Sequence, residues 1–377
     1  MGGMTTSEIR IQGMDQLVTT VPHQLGYEPE DSLVMVLLDE PRERPGAASS
    51  AAVQLVCRLD LPHDPASGVA ALTIVRQTVR RERPAYVSAI AYEDGPDATG
   101  FLSAVSDVCE SEGAEVAAAV RVRRGQMIDA TVGGRCEAVW RDVPACETVA
   151  ATAEFVARGR QPGLRRSALE AHVRGEESAC RDALADELDD YADRLIEALT
   201  RESTNEGDEG DDISDRARRR FVERGAMAWR RMLDHTRGGP QVRDLPMALV
   251  AQGLAMLWDR GFRDALIAWV APGQLGPGML PGDVVAAFVR HLPLSRMGDL
   301  RRLDRLVEVC SLVPDDAAAP VLTVTAQSAW TMNSGTLANL AIDRALECEP
   351  DYYLARLTEQ LLVHGVRPPR GPFAPAA

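Results

Sequence analysis

The first 135 residues alternate short runs rich in β-branched side chains with longer runs whose apolar positions recur every three or four residues. Ser32 to Asp39 (SLVMVLLD), Ala52 to Leu61 (AVQLVCRLDL), Ala85 to Tyr92 (AYVSAIAY) and Glu115 to Arg123 (EVAAAVRVR) are short, apolar and bounded by Gly, Pro, Asp or charge. That pattern predicts strands. Shorter strands are expected at Ile9 to Gln12 and at Gln126 to Thr131, the latter turning back after Arg124-Gly125. Helices are expected over Met14 to Leu25, Ser67 to Arg81 and Ala98 to Glu112. In the second of these Val69, Leu72, Val75 and Val79 share a face, and in the third Phe101, Leu102, Val105 and Val108 do. Strands alternating with helices imply an α/β domain whose mixed sheet is covered by helices. Only a Pro/Gly/Ala/Ser loop separates the first two long strands, so they should be antiparallel.

Beyond Cys136 strand signals nearly vanish. Helical periodicity covers Ala145 to Arg158, Arg165 to Arg174, Glu176 to Arg201, Ser214 to Thr236, Asp244 to Asp259, Gly261 to Val270 and Asp283 to His291. Ser214 reads as an N-cap. The organisation expected is an α/β domain over 1–140, a helical segment over 141–201 packing on it, an acidic linker over 202–215, and an all-helical domain over 216–377. Within the last, helices Ala318 to Thr331 and Thr336 to Cys348 form a hairpin joined by Asn333-Ser334-Gly335, with Gly335 expected in the left-handed conformation. Pro350 then ends the second helix, and another runs from Asp351 to His364. The small residues Ala326, Ala338 and Ala345 with Pro350 resemble one tetratricopeptide repeat, which makes 318–364 a TPR-like hairpin.

Charge changes this picture by exclusion. The chain of 377 residues carries 41 basic and 56 acidic side chains, a net charge of −15, and every basic residue is arginine. A P-loop nucleotide site, a pyridoxal phosphate enzyme and a Schiff-base aldolase all need a lysine, so no such cofactor is expected. The net charge repels nucleic acid at long range, and the arginines at 216, 218, 219, 220 and 224 follow seven carboxylates in Glu202 to Asp215. The seven cysteines form no CxxC pair, and neither a signal peptide nor a membrane span is legible, which points to the cytoplasm.

Three segments carry a family resemblance. VPHQLGYEPEDSLVMVLL (Val21 to Leu38) resembles the P-x-L-L-G-F-x-P-x-D-S-L-V opening of an actinobacterial family of uncharacterised proteins, domain of unknown function family 4192. GTLANLAIDRALECEPDYYLARLTEQLLVHGVRPP (Gly335 to Pro369) is similar to that family's closing segment, and DRGFRDALIAW (Asp259 to Trp269) to its middle helix. The resemblance implies no activity. It implies a high-GC genome, which accounts for arginine in place of lysine. Where relatives carry a Cys-Cys-Pro run, this chain reads RCEAVWRDVPAC, with Cys136 and Cys146 apart.

The opening motif is the candidate site: Pro22, Gly26, Tyr27, Asp31 and Ser32. Two readings stand side by side. Asp31 and Ser32 could meet a ligand, or they could cap backbone amides while Gly26 ends the helix and Tyr27 packs over the sheet edge. They lie at the amino end of their strand, whereas ligands in open α/β sheets bind beyond carboxyl ends. A magnesium site is a weaker candidate: Asp186, Asp190 and Asp193 share one helix face, but no second acidic motif answers them. No metal is therefore expected. The six histidines are isolated, and no HExxH or GxSxG nominates a catalytic residue. The functional expectation is a non-catalytic module that binds a small ligand or a protein partner. The alternative is a hydrolase-like or transferase-like enzyme using the α/β domain.

Overall fold

The computed structural model describes residues 9–41, 50–95, 97–130, 139–157, 160, 162–163, 165–203, 210–236, 239–292 and 300–368. The chain divides into two compact units, Met1–Arg166 and Ser167–Ala377.

In the first unit six strands form one mixed sheet: β1 (Ser32–Leu38), β2 (Val53–Asp60), β3 (Tyr86–Tyr92), β4 (Glu115–Arg123), β5 (Gln126–Asp129) and β6 (Arg141–Asp142), in the order β2-β1-β3-β4-β5-β6. β1 is antiparallel to both β2 and β3, β3 and β4 are parallel, and β5 and β6 follow antiparallel. Helices α1 (Gly13–Leu25), α2 (Pro65–Glu82) and α3 (Thr99–Ser111) cover the sheet. Side-chain parity assigns the faces. Leu33, Met35 and Leu37 join one core with α2 and α3, while Val34 and Val36 join another with α1. β1 is buried on both sides, which is why it reads as an unbroken apolar run. On β4 the register against β3 shifts by one residue after Val116, so Val116 faces the first core and Ala118, Val120 and Val122 the second. The start of α2 is fixed locally: Asp64 accepts from the amides of Ala66 and Ser67 at 2.8 and 2.9 Å, and Pro65 takes the first helical position. A short helix α4 (Ala150–Ala157) packs on α1.

Residues 9–12 are not a strand. Gln12 donates its amide to Gln16 Oε1 at 2.9 Å, and the segment leads directly into α1 without pairing to a strand. The Arg141–Asp142 strand was not expected.

The second unit is helical: α5 (Arg166–Arg174), α6 (Ala179–Ser203), α7 (Gly210–Met232), α8 (Met247–Ala255), α9 (Arg260–Val270), α10 (Gly282–His291), α11 (Leu300–Leu312), α12 (Ala318–Thr331), α13 (Gly335–Cys348) and α14 (Tyr353–Val363). One core runs from Val173 to Ala355, with Trp229 fully buried and donating to the Gly253 carbonyl at 2.8 Å. Four expectations change here. The division falls after Arg166 and not near residue 140, and α6, which the sequence reading grouped with the α/β domain, packs on α8, because Leu184 and Leu188 belong to the helical core. Both ends of the expected 202–215 linker are helical, since α6 runs to Ser203 and α7 begins at Gly210, so Ser214 lies inside a helix instead of capping one; 204–209 lie outside the described residues. Helix α11 was unforeseen, although Leu303, Leu306, Val307 and Cys310 give it a regular buried stripe. Finally, the reversal between α12 and α13 occurs where expected, but Asn333 holds the left-handed conformation at φ 58°, and Gly335 is the first residue of α13. Asparagine tolerates that region because its side chain is short and polar. Pro350 stands in the turn between α13 and α14.

Candidate functional site

Strand direction decides where the opening motif lies. Ser32 of β1 pairs with Tyr92 of β3, and Tyr92 pairs with Val122 of β4. The amino end of antiparallel β1 therefore sits beside the carboxyl ends of the two parallel strands. The objection that Asp31 and Ser32 occupy an amino end dissolves, since the edge is the one that open α/β sheets use for ligands.

A cavity of about 340 Å³ opens at this edge. Three chain reversals meet around it: the α1–β1 loop with Glu28, Pro29 and Glu30; the β3–α3 loop with Glu93 and Asp94; and the β4–β5 turn with Arg124 and Gly125. Val18 and Pro22 of α1, Val143, Pro144 and Cys146, and Arg165 complete it. The turn is a two-residue hairpin with both residues left-handed, Arg124 at φ 50° and Gly125 at φ 76°, flanked by the pair Arg123 and Gln126. Val143 donates to the Gly125 carbonyl at 2.8 Å, and Thr19 Oγ1 donates to the Pro144 carbonyl at 3.2 Å, so neighbouring segments tie the walls together.

Beneath the cavity Glu93 is an engaged group. Its carboxylate takes two hydrogen bonds from Arg121, at 2.7 and 3.0 Å, and one from the Ala98 amide at 2.9 Å. Arg121 also pairs with Asp97 at 2.7 Å and lies over the Trp140 ring, 5.4 Å from its centre. Glu30 pairs with Arg165 at 3.1 Å. On the rim, partial burial raises the Glu28 carboxyl above the ordinary value, against the pull of His23 and Arg165. Burial also raises the Cys146 thiol, helped by Glu28 and Glu147, so Cys146 is a protonated thiol at neutral pH and a weak nucleophile.

The motif residues divide between the two readings. Pro22 lines the cavity. Gly26 ends α1 at φ 83°, donating to the Pro22 carbonyl at 2.8 Å, and Tyr27 is buried. Ser32 is buried and accepts from Arg58 Nε at 2.8 Å while donating to the Glu30 carbonyl. Asp31, at φ 36°, accepts the amides of both Asp94 and Gly95 at 2.8 Å, and its carbonyl accepts from Leu61 at 2.8 Å. Asp31 is thus a staple that holds the β3–α3 loop against the start of β1, and its carboxylate is not presented to a ligand. Asp31→Ala should cost about 2 kcal/mol, since two charge-assisted bonds go and two amides lose their acceptor. Asp31→Asn, which keeps an acceptor and tolerates the left-handed backbone, should lose less than half of that. Thermal melts with hydrogen exchange at Asp94 and Gly95 check this; unchanged protection of those amides in Asp31→Ala would show that the staple does not hold the loop.

Sequence reasoning missed Glu28, Asp94, Arg124 and Arg165. The signal that was available is Arg124, an arginine where a tight hairpin favours Asn, Asp or Gly. His23 does not line this cavity. It is buried against Phe155, shares its Nδ1 with the Arg160 carbonyl at 3.2 Å, and borders a separate shallow depression with Cys146 and Thr152. Asp186, Asp190 and Asp193 are exposed along α6, and no group of three or more His, Cys, Asp or Glu among the described residues is arranged to hold a metal ion. Cys136 lies outside the described residues. No helix among the described residues is long and apolar enough to cross a membrane.

The fold and cavity define a protein with an α/β unit, a mixed six-stranded sheet open at one edge, followed by a helical unit. The chain belongs to the family described as Domain of unknown function (DUF4192), whose model matches residues 15–369. No curated protein and no solved structure matches it.

Proposed function

We propose that the protein binds a small polar organic molecule in the cavity beyond the carboxyl ends of β3 and β4. One observation carries the reading: three separate loops converge at the ligand edge of a mixed sheet around about 340 Å³, a volume within the range of small-molecule sites. The lining combines apolar Val18, Pro22, Val122 and Val143 with a few charged groups, the usual division between burial and orientation. Binding is favoured over catalysis because Asp31 is engaged by loop amides, burial raises the Cys146 thiol, and no histidine lines the cavity among the described residues. A reducing, cytoplasmic setting fits the six described cysteines, all free.

A second reading, a protein partner on a TPR-like hairpin, rests on α14, which leaves Tyr353, Leu357 and Val363 exposed. It does not compete for the same residues.

The test of the first reading is native mass spectrometry of the full chain after incubation with a small-molecule cell extract. A bound species should be retained, and Val143→Trp, which places a large ring in the opening, should lose it. Equal retention by Val143→Trp, or no bound species at all, would overturn the reading.

A further inference from the structure

The charges on the cavity wall that stand outside close ion pairs point to the ligand class. Four carboxylates and two guanidiniums line it, but they are not equivalent. Glu93 is held by Arg121, and Glu30 by Arg165. Glu28, Asp94 and Arg124 remain, none in a side-chain ion pair among the described residues. They stand on three different loops: Glu28 before β1, Asp94 after β3, and Arg124 on the hairpin after β4. Two negative groups and one positive group thus face the same space from separate walls, with Val18, Pro22, Val122 and Val143 between them.

Arg124 deserves its place on the wall for no reason of backbone preference. A left-handed residue with a Cβ is strained relative to glycine, and a long cation adds nothing to the turn itself. A guanidinium at that position is suited to a carboxylate, which it can grip with two parallel hydrogen bonds. Carboxylates opposite it are suited to an ammonium.

We infer that the ligand is a zwitterion of amino-acid size, its carboxylate on Arg124, its ammonium between Glu28 and Asp94, and its side chain against the apolar wall. This rests on the binding reading above and specifies its chemistry.

The experiment uses the full chain and saturation-transfer NMR against the common L-amino acids, followed by titration of the best binder and of its N-acetyl and carboxamide derivatives. The derivatives remove one charge each. The parent should bind at least about tenfold more tightly than either derivative. Arg124→Gln, which leaves the Cβ and hence the turn unchanged, should weaken the parent about tenfold and leave the carboxamide unaffected; Glu28→Gln should weaken the parent and leave the N-acetyl form unaffected. A derivative binding within about threefold of its parent would overturn the inference. So would failure of every amino acid to bind while a species from the cell extract still occupies the cavity, and that pair of results leaves the binding reading intact. If neither the amino acids nor the extract yields a bound species, the binding reading itself falls.

Discussion

Arg121→Met should cost about 3 to 5 kcal/mol, the usual penalty for leaving a buried charge without its partner. The Glu93 side chain is fully buried, and two of its three hydrogen bonds come from Arg121. Methionine fills similar space without donors, so the carboxylate keeps only the Ala98 amide. Glu93→Gln in the same chain should restore much of the loss, because glutamine removes the charge and still accepts from Ala98. Chemical denaturation of the wild type, the single variant and the pair checks this. A single-variant loss below about 1 kcal/mol would mean that water reaches Glu93 and that the floor of the cavity is wet. The pair also anchors two segments of the cavity wall, since Glu93 precedes Asp94 and Arg121 lies on β4 just before the turn that carries Arg124.

Gly175→Ala should cost roughly 2 to 4 kcal/mol, from two additive causes. Gly175 follows α5 at φ 70°, where its amide caps the helix by donating to the Ala171 carbonyl at 2.9 Å. Any residue with a Cβ is strained by about 1 kcal/mol in that conformation. The added carbon would also overlap the Ser311 carbonyl oxygen and stand 2.8 Å from its carbon and 3.1 Å from its Cα. These are backbone atoms at the end of α11, so the clash cannot be relieved by a side-chain rotation. Gly113→Ala is the control: φ is 86°, yet nothing lies within 4 Å of the new carbon, so only the conformational share should be lost. Equal losses in the two variants would refute the close approach of α5 to α11.

Much of the α/β unit was legible from local pattern. The strand limits at β1, β3 and β4 and the three covering helices agree with the sequence reading to within two residues, because each element's periodicity is set by its own side chains. Less was legible where an element depends on distant contacts. β6 is two exposed residues that owe their extended form to β5, and α6 carries the acidic face that suggested a metal while its buried face, Leu184 and Leu188, fixes it in the helical core. The candidate site was half legible. The opening motif drew attention, for its turn chemistry, to the edge of the sheet where the cavity opens, and Pro22 alone of its five residues lines that cavity.

By itself the sequence determined most of the strands and helices of the α/β unit, that the chain contains no lysine, and that a turn beginning at Gly26 joins a helix to a buried strand. Only the tertiary structure decided what that turn faces. Strand direction and strand order are absent from local periodicity, since a β-strand buried on both faces reads the same whichever way it runs. Pairing β1 antiparallel to β3 and β3 parallel to β4 brings the start of one strand to the ends of the other two, and the loops they carry, about 30 to 100 residues apart in the chain, close around one cavity.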